Sequence, residues 1–260
     1  MQKQQKCTPR IAILTAIAIM FILLIFGRSI QAVPISQPAP SPKGSVIVLH
    51  GLARTSLSMT YIARGLAKHG YVVENLDYPS TRLSIPELSE RYLSPAVERA
   101  AAHSWPVHIV SHSMGGILVR QYLADHPTHE IGRIVMLAPP NGGSELIDAV
   151  AANDLLLRKT LGPAASQLAT ATTSLANTLP SVPSDLGVIA GARSWNPLFS
   201  ALLPGEDDGK VTVASTRLPG MQDHLVLPIN HTLIMWNNEV LTQIIHFLEQ
   251  GSFIHQSNIH

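Results

Sequence analysis

The chain of 260 residues is long enough for one large domain and leaves little room for a second; with 46% apolar and only 13% charged residues, a sizeable core is readily built. Eighteen basic and 17 acidic residues nearly balance, but the first 32 residues hold four bases (Lys3, Lys6, Arg10, Arg28) and no acid, so the remainder carries a formal net charge of −3. That body has no basic footprint for nucleic acid, and the lone cysteine, Cys7, lies ahead of it, which excludes disulfides, thiol catalysis and thiolate metal sites from the folded part.

Residues 11–26 are uninterrupted apolar except for Thr15 and follow the basic start. Residues 1–31 therefore read as a secretory signal or an N-terminal membrane anchor, and either puts the basic end inside and exports the body. Cys7 is on the wrong side of the run for lipoprotein attachment. Prolines at 34, 38, 40 and 42 make residues 32–44 a stiff tether with nothing to contribute to a core.

The folded domain is expected over 45–253. Val46–Leu49 form a continuous apolar strand of the kind buried on both faces, running into His50-Gly51-Leu52-Ala53-Arg54. A helix is expected over 59–69, closed by Gly70, then a strand over 71–76 and a helix over 86–102. Val107, Ile109 and Val110 read as a strand that ends in a polar turn, Ser111-His112-Ser113, before a helix reaching Asp125. Ile134–Leu137 form a fourth strand, and 186–190 a further one. Strands alternating with helices at this pace imply an α/β architecture, a mostly parallel sheet with helices on both faces.

Residues 144–185 read as a small helical insertion, with Leu161, Leu168 and Leu175 spaced seven apart. Its leucines suit either a cap over a site or ordinary packing against the sheet. Val211 and Val213 alternate with polar neighbours as a short extended piece, 221–231 read as a loop, and 238–250 as an amphipathic helix capped by Gly251. Residues 254–260 are left as a tail.

Chemistry concentrates at Ser113. A serine squeezed between a strand end and a helix start, with small residues around it, has the geometry of a nucleophile elbow: the tight turn lifts the hydroxyl clear of the sheet above the helix N-terminus. Ser111 stands where the G-x-S-x-G pattern has its first glycine. A serine needs a base to take its proton and an acid to orient that base, and in a strand–turn–helix setting these follow in the order acid, histidine. Asp208 comes 95 residues after Ser113, and His231 another 23 on, just before the last helix. Asp207 is the rival acid and reads as a solvated loop charge; Asp208, directly before the turn glycine, can point back at the histidine. His224 is the rival base, expected only to cap or pack its loop. The backbone N–H groups of Met114 and Leu52 would serve as oxyanion donors. His50 and His112 flank these positions and read as space-filling, hydrogen-bonding residues. No metal site is expected: the twelve histidines include no H-E-x-x-H pair, and His126 and His129 straddle a proline turn, where they read as solvated.

On V-I-V-L-H-G-L, S-H-S-M-G-G, the D-G-x-V piece at Asp208–Val211 and Asn230-His231, residues 45–253 resemble the α/β-hydrolase superfamily, within it the small bacterial lipases and esterases. The resemblance implies an α/β-hydrolase fold and an acyl-ester hydrolase with the triad Ser113, Asp208 and His231, acting without a cofactor on a small-molecule or lipid ester; lipases of this kind also vary at the position of Ser111. An acyltransferase or thioesterase would use the same triad. A catalytically silent, membrane-tethered binding protein on this scaffold is the reading from another class, and a broken triad would favour it.

Overall fold

Among the described residues six strands form a single sheet in the order β2-β1-β3-β4-β5-β6, and every neighbouring pair is parallel. They are β1 (Ser45–Leu49), β2 (Val72–Leu76), β3 (Val107–His112), β4 (Ile134–Leu137), β5 (Leu186–Gly191) and β6 (Asp223–Leu227). The computed structural model describes residues 42–127, 131–150, 159–182 and 185–255. The apolar run at 11–26 and all but the end of the proline-rich tether lie outside the described residues.

The inner strands β1, β4 and β5 are nearly unbroken apolar runs because both of their faces are covered. Val46 and Val48 of β1 look to one core, Ile47 and Leu49 to the other, as the two-residue period of a strand requires. On the first face Val46, Val48, Val110 and Ile189 pack against α1 (Thr60–Lys68) and the closing helix. On the second, Ile47, Ile109, Met136 and Val188 pack against α2 (Ser94–His103) and α3 (Met114–Asp125). Entry to α2 runs through Ile85–Leu88, where Ser84 and Glu87 close a capping box, and through one wide turn, Ser89–Leu93. The closing helix, α5 (Asn238–Gln250), has Asn237 accepting from the Val240 N–H at its start and ends on Gly251 at φ 80°.

Among the described residues, the insertion after β4 carries α4 (Glu145–Val150), a helical end at 159–161 and the single turns Pro163–Ser166 and Leu175–Thr178. Ala164, Ala165, Leu168 and Ala176 are buried in the second core. Arg120, buried on α3, donates to the carbonyls of Asn141, Ala176 and Leu179 at 2.8–3.1 Å and ties both ends of this segment down. The described part of the insertion is thus fastened to the sheet, while Leu161 and Leu168 also reach the cavity beside Ser113.

Three local expectations change. Residues 223–227, expected as loop, form the edge strand β6. Only Leu225 and Leu227 of it are buried, so its apolar signal is two residues long, and the backbone pairing to β5 decides. The Val-Thr-Val alternation at 211–213 is not a strand: a single bridge joins Asp207 to Thr212, and Thr212 then caps a helical turn, Val213–Thr216, by accepting from the Ser215 N–H. Residues 254 and 255, assigned to the tail, are held to the body, Ile254 by the Gln243 side-chain amide, which donates to its carbonyl and accepts from its N–H, and His255 against Asp223.

Candidate active site

In a parallel sheet, ligands gather where the strand order reverses, outside the carboxyl ends of the strands. Here the reversal lies between β1 and β3, with the Gly51-Leu52 turn following one and Ser113 following the other. The strand β3 carries on through Ser111 and His112, so the turn is tighter than the sequence suggests and consists of Ser113 itself. Its backbone sits at φ 54°, ψ −125°, a region costly for any residue with a side chain. The strained conformer is pinned by the Ser113 N–H donating to the Leu137 carbonyl at 2.8 Å and by Gly116 N–H returning to the Ser113 carbonyl. Gly115 is required here: a β-carbon on it would lie 2.8 Å from the His50 carbonyl oxygen.

The structure brings Ser113, His231 and Asp208 together. The Ser113 hydroxyl lies 3.0 Å from His231 Nε2, and His231 Nδ1 lies 2.7 Å from Asp208 Oδ2, with His231 and Asp208 both buried. Asp208 can only accept, so Nδ1 carries the proton and Nε2 faces the serine with its lone pair. The other carboxylate oxygen, Oδ1, accepts from the N–H groups of Lys210 (3.0 Å) and Val211 (2.9 Å). This turn, made by the Gly209 step, aims the carboxylate at the imidazole. Gly191, at the end of β5, lets the two loops meet: a β-carbon there would fall 2.5 Å from the Ile229 carbonyl and 2.8 Å from the Asp208 Cβ.

The backbone of His231 is fixed from three sides. Its N–H donates to the Asp208 carbonyl at 3.0 Å, its carbonyl accepts from His112 Nε2 at 2.9 Å, and Asn230 Oδ1 caps the turn behind it by accepting from Thr232 and Leu233 N–H. That bond makes His112 the Nε2–H tautomer, and among the described residues its buried Nδ1 has no hydrogen-bond partner. Burial, and then the His231 charge, hold His112 far below the usual histidine range, so it stays neutral.

Leu52 is presented by a turn that Tyr78 clamps. The Tyr78 hydroxyl donates to the His50 carbonyl, and its ring stacks on the His50 imidazole at 4.0 Å between centroids. His50 is buried and its protonation is depressed by that burial. Met114 is the first residue of α3, where N–H groups have no acceptor within the helix.

The rival residues stand apart from Ser113. Asp207 is buried rather than solvated, accepting from Ser200 Oγ (2.9 Å) and Gly209 N–H (2.7 Å) to shape the loop that carries Asp208. His224 is on β6. The Thr216 hydroxyl donates to the Val213 carbonyl, so His224 Nε2–H donates to that hydroxyl at 2.9 Å, and burial lowers its pKa to about 4. His126, expected as solvated, is half-buried against the Tyr122 ring at 4.6 Å; His129 lies outside the described residues. Among the described residues no cluster of three or more His, Cys, Asp or Glu could hold a metal ion.

A cavity of about 260 Å³ opens beside Ser113 and His231. Leu146, Ile147, Leu161 and Leu168 give it an apolar wall, and Arg54 and Lys210 a charged one. Sequence reasoning passed over Arg54, Lys210 and Gly191, and read His112 as a hydrogen-bonding residue without giving its partner, the His231 carbonyl. Only Asn230 had a local signal, an Asx turn just ahead of a helical start.

A family model described as the alpha/beta hydrolase fold matches residues 44–199. Among solved structures, the chain is similar to the mature Bacillus licheniformis lipase BlEst2, with 21% identity and a TM-score of 0.60 over 83% of this chain and 95% of that one. It is similar to the metagenomic carboxyl esterase MGS0156, with 18% identity and a TM-score of 0.60 over 84% and 80%. It is also similar to the phospholipase PlaB from Legionella pneumophila, with 16% identity and a TM-score of 0.62 over 82% of this chain and 60% of that one. No curated protein matches the sequence. With the family model covering more than half of its length, and the sheet order and elbow described above, the chain belongs to the α/β-hydrolase fold family.

Proposed function

We propose that the protein is a serine hydrolase of carboxylic esters, with Ser113 as nucleophile, His231 as general base and acid, and Asp208 as the group that holds His231 in its working tautomer. The observation that carries this reading is the hydrogen-bonded chain Ser113–His231–Asp208 at 3.0 and 2.7 Å, ending at a cavity with an apolar wall. Ser113 Oγ adds to the acyl carbonyl as His231 Nε2 takes its proton, and the backbone N–H groups of Leu52 and Met114 receive the developing oxyanion. Collapse breaks the acyl–oxygen bond, and the imidazolium returns the proton to the departing alkoxide. Water, deprotonated by the same nitrogen, then adds to the acyl-enzyme and releases the acid and Ser113.

The cavity of about 260 Å³ lies just under the range of roughly 300–1,000 Å³ common for small-molecule pockets, which favours short and medium acyl chains. The basic-then-apolar N-terminus supports an exported hydrolase, either tethered or released by cleavage.

The test is a p-nitrophenyl ester series from acetate to palmitate, run with and without an acceptor alcohol. Hydrolysis with an optimum among the shorter chains is expected. No cleavage above the buffer rate would refute the reading, and acyl transfer dominating over hydrolysis would reassign it to a transferase.

A further inference from the structure

We infer that the alcohol half of the ester carries a negative charge, a phosphate or a carboxylate, bound between Arg54 and Lys210. This rests on the esterase reading above and adds the chemistry of the leaving group. Both cations line the cavity that holds Ser113 and His231, and among the described residues no acidic side chain lines it. Among the described residues the Lys210 ammonium has no hydrogen bond or ion pair. Arg54 commits one N–H, from Nη2 to the Thr232 hydroxyl at 3.1 Å, which fixes the guanidinium and leaves four donors and the whole charge unspent. Asp208, the carboxylate whose charge acts on Lys210, is already engaged by two backbone N–H groups and His231.

Position decides which half of the ester meets these charges. Thr232, which holds Arg54, is the residue after His231, and Lys210 shares a second recess with Asn230, His231 and Thr232. Both cations therefore flank the imidazole, the group that must protonate the departing alkoxide. The apolar wall comes from another segment, the insertion that carries α4, and suits the acyl chain. Beyond Arg54 the positive character continues along a groove lined by Arg82 and Arg91, whose acid, Asp77, accepts the Ser56 N–H at 2.8 Å.

Two like charges beside a half-enclosed cavity repel each other when no anion lies between them. Burial, and next the charge of Arg54, accordingly hold Lys210 below the ordinary lysine range. An anionic leaving group relieves both effects, and the arginine fork suits phosphate or carboxylate oxygens. The reaction stays a hydrolysis: water adds across the acyl–oxygen bond, giving the fatty acid and the anionic alcohol, and the phosphate or carboxylate itself is unchanged.

The experiment compares kcat/KM within two pairs of substrates that share one acyl chain. One pair is 1-octanoylglycerol and its 3-phosphate; the other is methyl 4-(octanoyloxy)benzoate and the free 4-(octanoyloxy)benzoate. All are assayed as monomers, with fluorophosphonate labelling of each enzyme run alongside. The expected result is a preference of about tenfold or more for the anionic member of at least one pair, the pair showing it telling phosphate from carboxylate. In Lys210→Met and Arg54→Gln that anionic-to-neutral ratio falls by about tenfold, chiefly through KM, with labelling at Ser113 retained. Lys210→Met is the cleaner variant because the Lys210 ammonium bonds to none of the described residues. A ratio near one in both pairs, or one that Lys210→Met does not move, would overturn this inference while labelling keeps the esterase reading intact. Absence of labelling in the unaltered protein would overturn both.

Discussion

His112 Nε2 donates to the main-chain carbonyl of His231 at 2.9 Å, so the residue next to the candidate nucleophile sets the backbone of the candidate base. The bond couples the end of β3 to a loop 119 residues away in sequence. Replacing His112 by leucine keeps much of the volume and deletes the donor, leaving a buried carbonyl unpaired. A stability loss of about 1–3 kcal/mol is expected in denaturant titration. Alongside it, kcat should fall more than KM rises, because the Nε2–Oγ alignment loosens while the cavity wall stays in place.

The strain at Ser113 has a measurable consequence. At φ 54°, ψ −125°, glycine fits better than any residue with a β-carbon. Ser113→Gly should therefore abolish ester hydrolysis and raise stability by about 1 kcal/mol, seen as a rise in Tm of roughly 2–4 °C for a domain of this size. An inactive variant no more stable than the parent would show that the turn stores no strain.

The two neighbouring aspartates separate cleanly by role. Asp208→Asn removes the acceptor that fixes the His231 tautomer and should lower kcat by about 10³–10⁴-fold. Asp207→Ala removes the acceptor for Ser200 and Gly209 and should cost about 1–3 kcal/mol of stability while most hydrolysis survives. His224→Gln likewise should retain most activity, since His224 is on β6, beyond β5 from the elbow strand, and its ring bonds Thr216.

Acid sensitivity follows from the buried histidines. Burial lowers His108 and His224 to about 4, and lowers His50 and His112 as well. Each is neutral in the fold and takes up a proton more readily when unfolded, so the unfolded chain binds more protons below pH 6.5. Their contribution to stability is complete above that value and is lost as pH falls from about 6.5 toward 4. Thermal melts between pH 8 and pH 4 should show Tm falling steeply across that window. His224→Gln should flatten the slope; a melt independent of pH over the same interval would contradict the assignment.

Most of the sheet was legible because a strand buried on both faces announces itself as an apolar run, as in Val46–Leu49 and Ile134–Leu137. The edge strand β6 was not, because Asp223 and His224 are polar and only half-buried and Val226 is exposed, which leaves two buried leucines as the only pattern. The elbow was legible because small residues, a serine and a strand-to-helix change coincide within ten positions. Arg54 and Lys210 were invisible as site residues because nothing local marks a cation as facing a cavity. That depends on where the turn after β1 and the loop carrying Asp208 meet, a juxtaposition made by the tertiary fold. Gly191 escaped notice for the same reason, since its close contacts come from Ile229 and Asp208.

The account turns on whether the hydroxyl of Ser113 is activated by His231 in solution. The direct measurement is the rate of labelling by a fluorophosphonate, with the modified peptide identified by mass spectrometry, in the unaltered protein and in Ser113→Ala, His231→Ala and Asp208→Asn. A single adduct on Ser113 is expected, absent in Ser113→Ala and slowed by orders of magnitude in His231→Ala and Asp208→Asn. An unlabelled protein, or an adduct that forms just as fast without the imidazole of residue 231, would contradict it.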